Sequence, residues 1–240
     1  MDRGLWITWY DLPDSGRDAY LSWLHGVYIP RLLKFPRVLW AAHYAADTTI
    51  APLSHLRHTD DRSVPTGNHY ILLVGAEDTH AFAGLTPYKF SSQLSAADKK
   101  MLAMRVGERV NIMTEEARHD GPAANQREPG VALSPCIQLG SFGAATADED
   151  EVLAWYAFYR LPAMATLPGS VGIRKMVSVS GWAKHGVLYE FVSKQARAEH
   201  FRAHEAADAE MAAWTKRLVP RLIHAPGSPV VAERIWPPVK

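Results

Sequence analysis

The octapeptide Trp23-Leu24-His25-Gly26-Val27-Tyr28-Ile29-Pro30 returns in outline 132 residues later as Trp155-Tyr156-Ala157-Phe158-Tyr159-Arg160-Leu161-Pro162. The same spacing relates Tyr10 to Phe142, Leu21 to Leu153 and Pro36 to Pro168. Large and conformationally restricted residues in constant register are typical of an internal repeat. The sequence therefore predicts two halves that share one fold.

Hydrophobic periodicity assigns the same order of elements to both halves. In the first half a strand at 5–10 precedes an amphipathic helix at 17–34, which Pro30 should kink because proline lacks the backbone N–H. The other predicted first-half elements are strands at 37–45, 68–76 and 108–115 and a helix at 96–105. The predicted second-half elements are strands at 136–142, 171–180, 185–192 and 230–236 and helices at 148–167 and 196–219.

This β-α-β-β-α-β order predicts an α+β fold made of two ferredoxin-like repeats. Helices cover only one face of such a sheet, so the other face needs a partner. The strands look apolar on both faces, as in Ile71-Leu72-Leu73-Val74. We expect the two antiparallel sheets to cover each other and to form one α/β barrel with the helices outside.

The predicted domain boundaries follow from composition. Residues 1–118 form the first repeat, residues 119–134 a linker rich in Gly, Pro and Asn, and residues 135–240 the second repeat. Two short matches extend the pairing of the halves beyond the first helix. They equate Asn68-His69 with Lys184-His185, and Glu108-Arg109-Val110 with Glu233-Arg234-Ile235.

The composition excludes several classes of function. The 240 residues carry 26 basic and 25 acidic side chains without a basic stripe, so nucleic acid is not an expected partner. Cys136 is the only cysteine, which excludes an intrachain disulfide and fits a reducing cytoplasm. No segment has the pattern of a signal peptide or a membrane span, so we expect a soluble, unprocessed, cytoplasmic protein with no membrane partner.

The repeated stretch also resembles a known superfamily. An aromatic residue followed by a proline and then a second proline before the next strand occurs as Trp23, Pro30 and Pro36, and again as Trp155, Pro162 and Pro168. This pattern and the repeated order of elements are similar to the dimeric α/β-barrel superfamily in its fused tandem form, closest to the EthD-like and stress-responsive branches. EthD-like members often carry His-x-Pro in this helix, where this chain has Tyr28-Ile29-Pro30 and Arg160-Leu161-Pro162.

The resemblance implies a site in the cleft between a sheet and its helices. Members of the superfamily include cofactor-free monooxygenases, polyketide cyclases, lactone isomerases and haem-binding proteins, and a shared fold does not choose among them. The candidate residues must therefore come from the pattern of this chain.

The densest polar cluster on a predicted strand gives the catalytic candidates. Alternation places His185 and Tyr189 on one strand face, where an imidazole could act as base and a phenol could stabilise an enolate oxygen. Arg174 is a candidate clamp for a carboxylate. His43, which only one half carries, and His69, which the short match equates with His185, complete the predicted catalytic set.

The interrupted helices supply the predicted substrate-binding residues. His25 and Tyr28 share a helical face, with Ala157 and Arg160 at the equivalent positions. Trp23 and Trp155 complete this set. His200 and His204 have metal-ligand spacing, but no third ligand lies nearby, so no metal site is predicted.

These features together predict an enzyme for a small, apolar, aromatic carbonyl compound, with a homodimer as a further expectation. The expected chemistry is cofactor-independent acid–base catalysis, such as decarboxylation, cyclisation or isomerisation. No Gly-rich phosphate loop or nucleophile elbow is present to suggest nucleotide binding or triad hydrolysis. The alternatives are a cofactor-free monooxygenase, a haem-binding protein and a non-catalytic ligand-binding protein.

Overall fold

The fold is an eight-stranded barrel with helices packed outside it. A computed structural model describes residues 1–50 and 55–239, so residues 51–54 of the connection predicted between the second and third strands lie outside the described residues. The strands in these ranges are β1 Gly4–Asp11, β2 Val38–Ala46, β3 Arg57–His58, β4 Tyr70–Ala76, β5 Val106–Asp120, β6 Cys136–Gly143, β7 Ser170–Ser180, β8 His185–Phe191, β9 Ile223–His224 and β10 Val230–Trp236.

Eight short α-helices occur in the same ranges. They are α1 Arg17–Trp23, α2 Ile29–Leu32, α3 Pro87–Phe90, α4 Ala96–Leu102, α5 Glu149–Trp155, α6 Leu161–Met164, α7 Lys194–Ala206 and α8 Ala209–Leu218. Short 3-10 turns lie at Thr79–Gly84, Ser91–Gln93, Ala124–Gln126, Thr146–Asp148 and Val219–Arg221. The single helix predicted at 196–219 is divided into α7 and α8, because Asp208 caps the start of α8 by accepting a hydrogen bond from the amide of Met211.

The barrel closes through pairings between the two halves. The strand order is β10-β2-β4-β1-β5-β7-β8-β6, and β10 also pairs with β6 to complete the circle. The β5–β7 and β10–β2 pairs are antiparallel and join one half to the other. The predicted α+β fold, two ferredoxin-like sheets in one barrel, is thus confirmed. Strand β5 runs two residues beyond the predicted end of the first repeat.

The core has three layers. One cluster fills the barrel and includes Leu5, Ile7 and Leu188, each at 0% exposure. A second cluster lies between the first-half sheet and its helices, and a third lies between the second-half sheet and its helices. Side chains on each strand thus alternate between the barrel interior and the helix layer, and a functional side chain belongs to one layer or the other.

The repeat extends to an uncommon backbone feature. Both first helices contain a π-helical turn, at Leu24–Tyr28 and at Tyr156–Arg160, each followed by an α-helix with proline at its start. The amide of Ile29 donates to the carbonyl of Leu24, and the amide of Leu161 donates to that of Tyr156. Since Pro30 and Pro162 cannot donate a backbone hydrogen bond, the widened turn lets the helix continue past each proline. Such turns are often found at functional sites.

The strand registers correct two of the pairings made from sequence. Tyr10 pairs with Tyr70 in the first half, whereas Phe142 pairs with His185 in the second. The structural counterpart of His185 is therefore Tyr70, not His69. A shift of one residue moves a side chain to the other face of a sheet, so a short local match cannot fix such an equivalence.

The second correction concerns the last strand of each half. Leu5 pairs with Met113 in β5, and Ile137, its counterpart in the repeat, pairs with Ala232 in β10. This register does not equate Glu108-Arg109-Val110 with Glu233-Arg234-Ile235. The local similarity of these tripeptides is not structural equivalence.

Two further findings concern membranes and metals. No helix in the described part of the chain is long and apolar enough to cross a membrane. Within the same residues, no group of three or more His, Cys, Asp or Glu side chains could hold a metal ion. His204 instead lies within hydrogen-bonding distance of the carbonyl of Ala163, at 2.8 Å.

Candidate active site

A cleft of about 640 Å³ lies between the sheet and the helices of the first half. Strands β1 and β5 form its floor, and the π-helical turn, α3 and α4 form its walls. Its apolar lining residues are Trp6, Leu85, Phe90, Leu94, Leu102, Val110 and Ile112. Tyr28, Lys99, Arg105 and Glu108 are the charged or phenolic groups among the described lining residues. An apolar cavity with a few polar groups is the usual form of a small-molecule site.

Arg105 is the main polar group of this cleft. It lies between the end of α4 and the start of β5, and its side chain is only 5% exposed. Nε donates to the Tyr20 hydroxyl at 2.6 Å and Nη1 contacts a carboxylate oxygen of Glu108 at 2.5 Å, whereas Nη2 is buried without a hydrogen-bond partner. A buried donor without a partner costs about 1–3 kcal/mol. A ligand oxygen at Nη2 would remove that cost.

The surroundings of Arg105 keep it cationic. Burial alone would lower its pKa, but Tyr20, Tyr10 and Glu108 raise it above the ordinary value. Its Cζ lies 4.6 Å from the ring centroid of Tyr10, within the range of a cation–π contact. The cleft thus presents a fixed positive charge in a largely apolar space.

Asp98 fixes the helix that precedes Arg105. Its carboxylate accepts hydrogen bonds from Trp23 Nε1 at 3.1 Å and from Arg31 Nη1 at 2.7 Å. It also forms a capping box with Ser95 at the start of α4. The hydrogen bond from Arg31 is the main reason that the pKa of Asp98 lies well below its usual range. Asp98 therefore ties α4, whose Lys99 and Leu102 line the cleft, to α1 and α2.

Three polar side chains, from β1, β2 and the first π-helical turn, form a hydrogen-bonded series next to the cleft. The Tyr10 hydroxyl is 2.8 Å from His43 Nε2, and His43 Nδ1 is 2.9 Å from His25 Nε2. Tyr10 and His43 are 0% exposed, whereas His25 is half-buried. Burial lowers the pKa of His43 well below its ordinary value and raises that of Tyr10. Both groups are therefore neutral at neutral pH.

The corresponding space in the second half is filled. Arg160, which replaces Tyr28 in the repeat, is 4% exposed, and its Nε donates to the Tyr189 hydroxyl at 2.9 Å. Its Cζ lies 4.9 Å from the ring centroid of Phe201 and 5.6 Å from that of Trp155. The predicted substrate-binding residues Arg160 and Trp155 thus pack against each other between the sheet and the helices.

His185 lies in a hydrogen-bond network of the same half. Its Nδ1 accepts from Lys175 Nζ at 2.9 Å, and its Nε2 is 2.9 Å from a carboxylate oxygen of Glu149. Burial is the main reason that the pKa of His185 falls to about 4, so the ring is neutral and Nε2–H donates to Glu149. Lys175 also bonds Glu116 at 3.0 Å. Both ring nitrogens of His185 therefore have protein partners.

Arg174 lies apart from this network. His185 and Tyr189 face the helices, as alternation predicts, and so does Lys175, which bonds His185. The neighbouring Arg174 therefore faces the barrel interior, where Nη1 donates to Asp2 at 2.6 Å. The structure brings His185 and Tyr189 to one face of the sheet but places Arg174 on the other.

The remaining candidates lie at several places. His69 is largely exposed, 3.5 Å from Asp11, and lines a separate cavity of about 250 Å³ between the halves. Trp23 packs behind Tyr28, with ring centroids 5.0 Å apart. His25 and Tyr28 both belong to the π-helical turn, but Tyr28 lines the cleft while His25 contacts His43.

The sequence interpretation missed Arg105 and Glu108. Their positions belong to the entry into β5, where the two halves differ, and the incorrect pairing of Glu108 with Glu233 concealed that difference. Two charged residues of opposite sign lie at the start of a strand, and the other half has no such pair at the equivalent positions. That difference between the halves is the signal that could have identified them.

The comparisons with known proteins establish the fold. No protein-family model and no curated protein matches the chain. A candidate monooxygenase from Fusobacterium nucleatum subsp. nucleatum superposes with a TM-score of 0.60 at 9% identity, over 98% of this chain and 93% of that one. An anthrone oxidase-like protein superposes with a TM-score of 0.53 at 9% identity, over 98% and 91% of the two chains.

A dye-decolorizing peroxidase from Bacteroides thetaiotaomicron has a TM-score of 0.52 at 10% identity, over 98% of this chain and 93% of that one. Identities this low carry the fold and not the activity. They do not support the EthD-like branch in particular. The chain has the closed α+β barrel fold of the dimeric α+β barrel proteins.

Proposed function

We propose that the first-half cleft binds a small aromatic carbonyl compound and that Arg105 stabilises its oxygen while the compound loses a proton. The observation that carries this proposal is the unpartnered Nη2 of a buried, cationic arginine in an apolar cleft. A ligand carbonyl would accept from Nη2, and the bond would strengthen as the oxygen becomes an enolate. A fixed donor that stabilises developing charge in a water-poor site is an effective catalytic device.

Glu108 is the group placed to accept the proton. It is the one carboxylate among the described residues that line the cleft, and Arg105 Nη1 holds it at 2.5 Å. In the proposed step a C–H bond at a carbon conjugated with the carbonyl breaks and its proton moves to Glu108. The electron pair remains on the ligand as an enolate, whose oxygen Arg105 Nη2 binds. Return of the proton to a different carbon would give isomerisation.

The aromatic walls favour a flat, apolar ligand. Trp6 and Phe90 present rings to the cleft, and the aliphatic lining residues contribute the rest of its apolar surface. Burial of aromatic surface against such walls supplies most of the binding free energy. The polar groups then orient the carbonyl towards Arg105.

Oxygenation is the second candidate, because an enolate is electron-rich enough to reduce dioxygen directly. For a methylene next to an aromatic system, the balanced change is CH₂ plus O₂ to C=O plus H₂O. One oxygen atom enters the ligand and the other leaves as water, without an organic cofactor. The two candidates share the same bound enolate and differ in its fate.

The residues of the cleft do not fit a haem group. No histidine or cysteine is among the described residues that line it. Burial raises the pKa of Tyr28, which opposes the phenolate form that an iron ligand would need. His185, which faces the second-half helices, has a partner on each ring nitrogen. We therefore assign no step to haem.

Anthrone is a suitable test compound because it is a flat aromatic ketone with an acidic methylene. We expect the protein to accelerate exchange of that methylene in D₂O under nitrogen, as followed by proton NMR against protein-free buffer. In air, oxygen uptake with formation of anthraquinone would identify the oxygenase, and exchange without oxygen uptake would identify the acid–base enzyme. Tight binding without exchange or oxidation would contradict catalysis and favour a ligand-binding protein.

A further inference from the structure

The first half contains a chain of polar side chains that the proposed reaction does not use directly. We propose that Tyr10, His43 and His25 position Arg105 and transmit the protonation of His25 to the cation of the cleft. This inference rests on the proposed function, because it concerns how strongly Arg105 binds an anionic oxygen. The three residues are here called the Tyr10–His43–His25 chain.

The geometry connects the chain to the cleft at one end and to the surface at the other. Tyr10 lies under the Arg105 guanidinium, with Cζ 4.6 Å from its ring centroid. The Tyr10 hydroxyl is 2.8 Å from His43, and His43 is 2.9 Å from the half-buried His25. His25 in turn stacks on Trp236 of β10, at 6.2 Å between ring centroids. The chain therefore spans from a buried cation to a partly accessible imidazole.

The donor and acceptor roles of the three side chains depend on one another, so protonation of His25 changes all of them. A neutral imidazole has one donor and one acceptor nitrogen. When His25 is neutral, Tyr10 donates to His43 Nε2 and His43 Nδ1–H donates to His25 Nε2. When His25 gains a proton, both of its nitrogens become donors, so His43 must adopt the other tautomer and Tyr10 must accept. A proton at the surface thus changes the polarity of the group that lies under Arg105.

The chain occurs in only one half. The repeat places Phe142, Ala157 and Lys175 where the first half has Tyr10, His25 and His43. The half with the open cleft has the continuous chain, whereas in the half with the filled space Lys175 bonds His185 and Glu116. The second half therefore has a network of different residues, which ends at the carboxylates of Glu149 and Glu116. Only the first-half chain ends under an arginine that lines an open cleft.

The sign of the effect follows from the hydrogen bond at the Tyr10 hydroxyl. When His43 donates to the Tyr10 hydroxyl, it draws electron density from the ring under Arg105 and weakens the cation–π contact. The guanidinium then interacts more strongly with an anionic ligand, which should bind more tightly as pH falls through the pKa of His25. Burial lowers the pKa of His25 below its ordinary value. The other titratable or charged groups that face the chain and Arg105 are Tyr20, Tyr28, Tyr70 and Glu108. Glu108 is the carboxylate in this set, and it is common to all variants below.

The test uses 2-naphthoate, a flat aromatic anion, and 2-acetylnaphthalene, its neutral counterpart. For the wild-type protein we expect the dissociation constant of naphthoate to fall about fivefold between pH 8 and pH 5, and that of the ketone to stay constant. His25→Gln, which cannot titrate, and Tyr10→Phe, which breaks the chain but keeps the ring, should both lose this dependence. Tyr70→Phe is the matched control, because Tyr70 stacks on Tyr10 and His43 without a hydrogen bond to either in the structure.

Two outcomes would overturn the inference. If the pH dependence survives in His25→Gln, His25 is not the titrating group. If it is lost in His25→Gln but kept in Tyr10→Phe, the charge acts through space and the chain transmits nothing. His43→Gln should keep the wild-type affinity at pH 8, because an amide can replace both hydrogen bonds, whereas His43→Leu should weaken binding at every pH.

A ligand-free measurement separates this inference from the proposed function. Nitrogen NMR of the imidazoles should show His43 as a neutral tautomer across this pH range, and Tyr10→Phe should shift the titration of His25. If the wild-type protein does not bind naphthoate but Tyr10→Phe shifts the titration of His25, the inference about the chain is supported and the proposed function is wrong. If naphthoate binds at Arg105 but His25 titrates in Tyr10→Phe as it does in the wild-type protein, the proposed function is supported and the inference about the chain is wrong.

Discussion

Arg105→Leu should abolish the function of the cleft while leaving the fold intact. Leucine keeps apolar volume but removes the buried cation and its free donor, so an enolate or carboxylate loses its main partner. Loss of one preorganised donor typically costs about 10²–10³ in rate. We expect a loss of at least this size in anthrone exchange, and a comparable loss in naphthoate affinity by titration calorimetry. Binding of the neutral ketone should fall much less.

Two controls make the Arg105 result specific. Arg105→Lys keeps a positive charge but not the planar set of donors, so it should retain part of the naphthoate affinity and less of the catalytic rate. His185→Gln changes the network of the other half, and we expect it to leave exchange near the wild-type rate. If His185 were the base, with Tyr189 and Arg174 acting beside it, His185→Gln would instead lose most of the exchange rate. Exchange near the wild-type rate in Arg105→Leu, together with slow exchange in His185→Gln, would show that the active site lies in the second half.

Asp98→Ala should produce the largest loss of stability among the variants considered. The carboxylate is 5% exposed and bonds Trp23, Arg31 and Ser95. Its removal leaves the part-buried indole N–H of Trp23 and the 37% exposed guanidinium of Arg31 without their acceptor. Loss of hydrogen bonds to a charged group of this kind costs about 1.5–3 kcal/mol. Urea denaturation followed by tryptophan fluorescence would measure the change. Naphthoate affinity should also fall, because α4 carries the residues that precede Arg105.

The pH dependence gives a second signature for Asp98. Its pKa is lowered in the folded protein, so its stabilising effect is complete above the ordinary carboxyl pKa and is lost as pH falls below it. The difference between wild type and Asp98→Ala should therefore be full at pH 7 and shrink below about pH 4. Asp14→Ala is the matched control, because Asp14 is 97% exposed beside Arg17 and should change stability little. An equal loss in both variants would contradict the role given to Asp98.

The fold could be predicted because the sequence contains the same pattern of residues in both halves. The aromatic and proline skeleton of residues 23–36 returns as a unit, and both copies fold into an α-helix, a π-helical turn and a second α-helix at the same spacing. Period and alternation also located the strands to within a few residues. Register was harder. His69 and His185 look equivalent in sequence, but a shift of one residue makes Tyr70 the counterpart of His185.

The candidate site was harder to predict because it depends on what lies opposite each side chain. Alternation correctly placed His185 and Tyr189 on one face. It could not show that Arg160 occupies the space beside Tyr189, or that Lys175 and Glu149 hold both nitrogens of His185. Arg105 lies far from Tyr20 and Tyr28 in sequence, and only the packing of α4 against the π-helical turn brings them together.

A crystal structure of the protein with bound 2-naphthoate would test the central claim most directly. We predict that the naphthalene ring lies in the first-half cleft between Trp6 and Phe90, with a carboxylate oxygen about 3 Å from Arg105 Nη2. The second-half space should remain filled by Arg160. Naphthoate beside His185, or in the cavity that His69 lines, with Arg105 Nη2 bound to a protein group instead, would contradict the account.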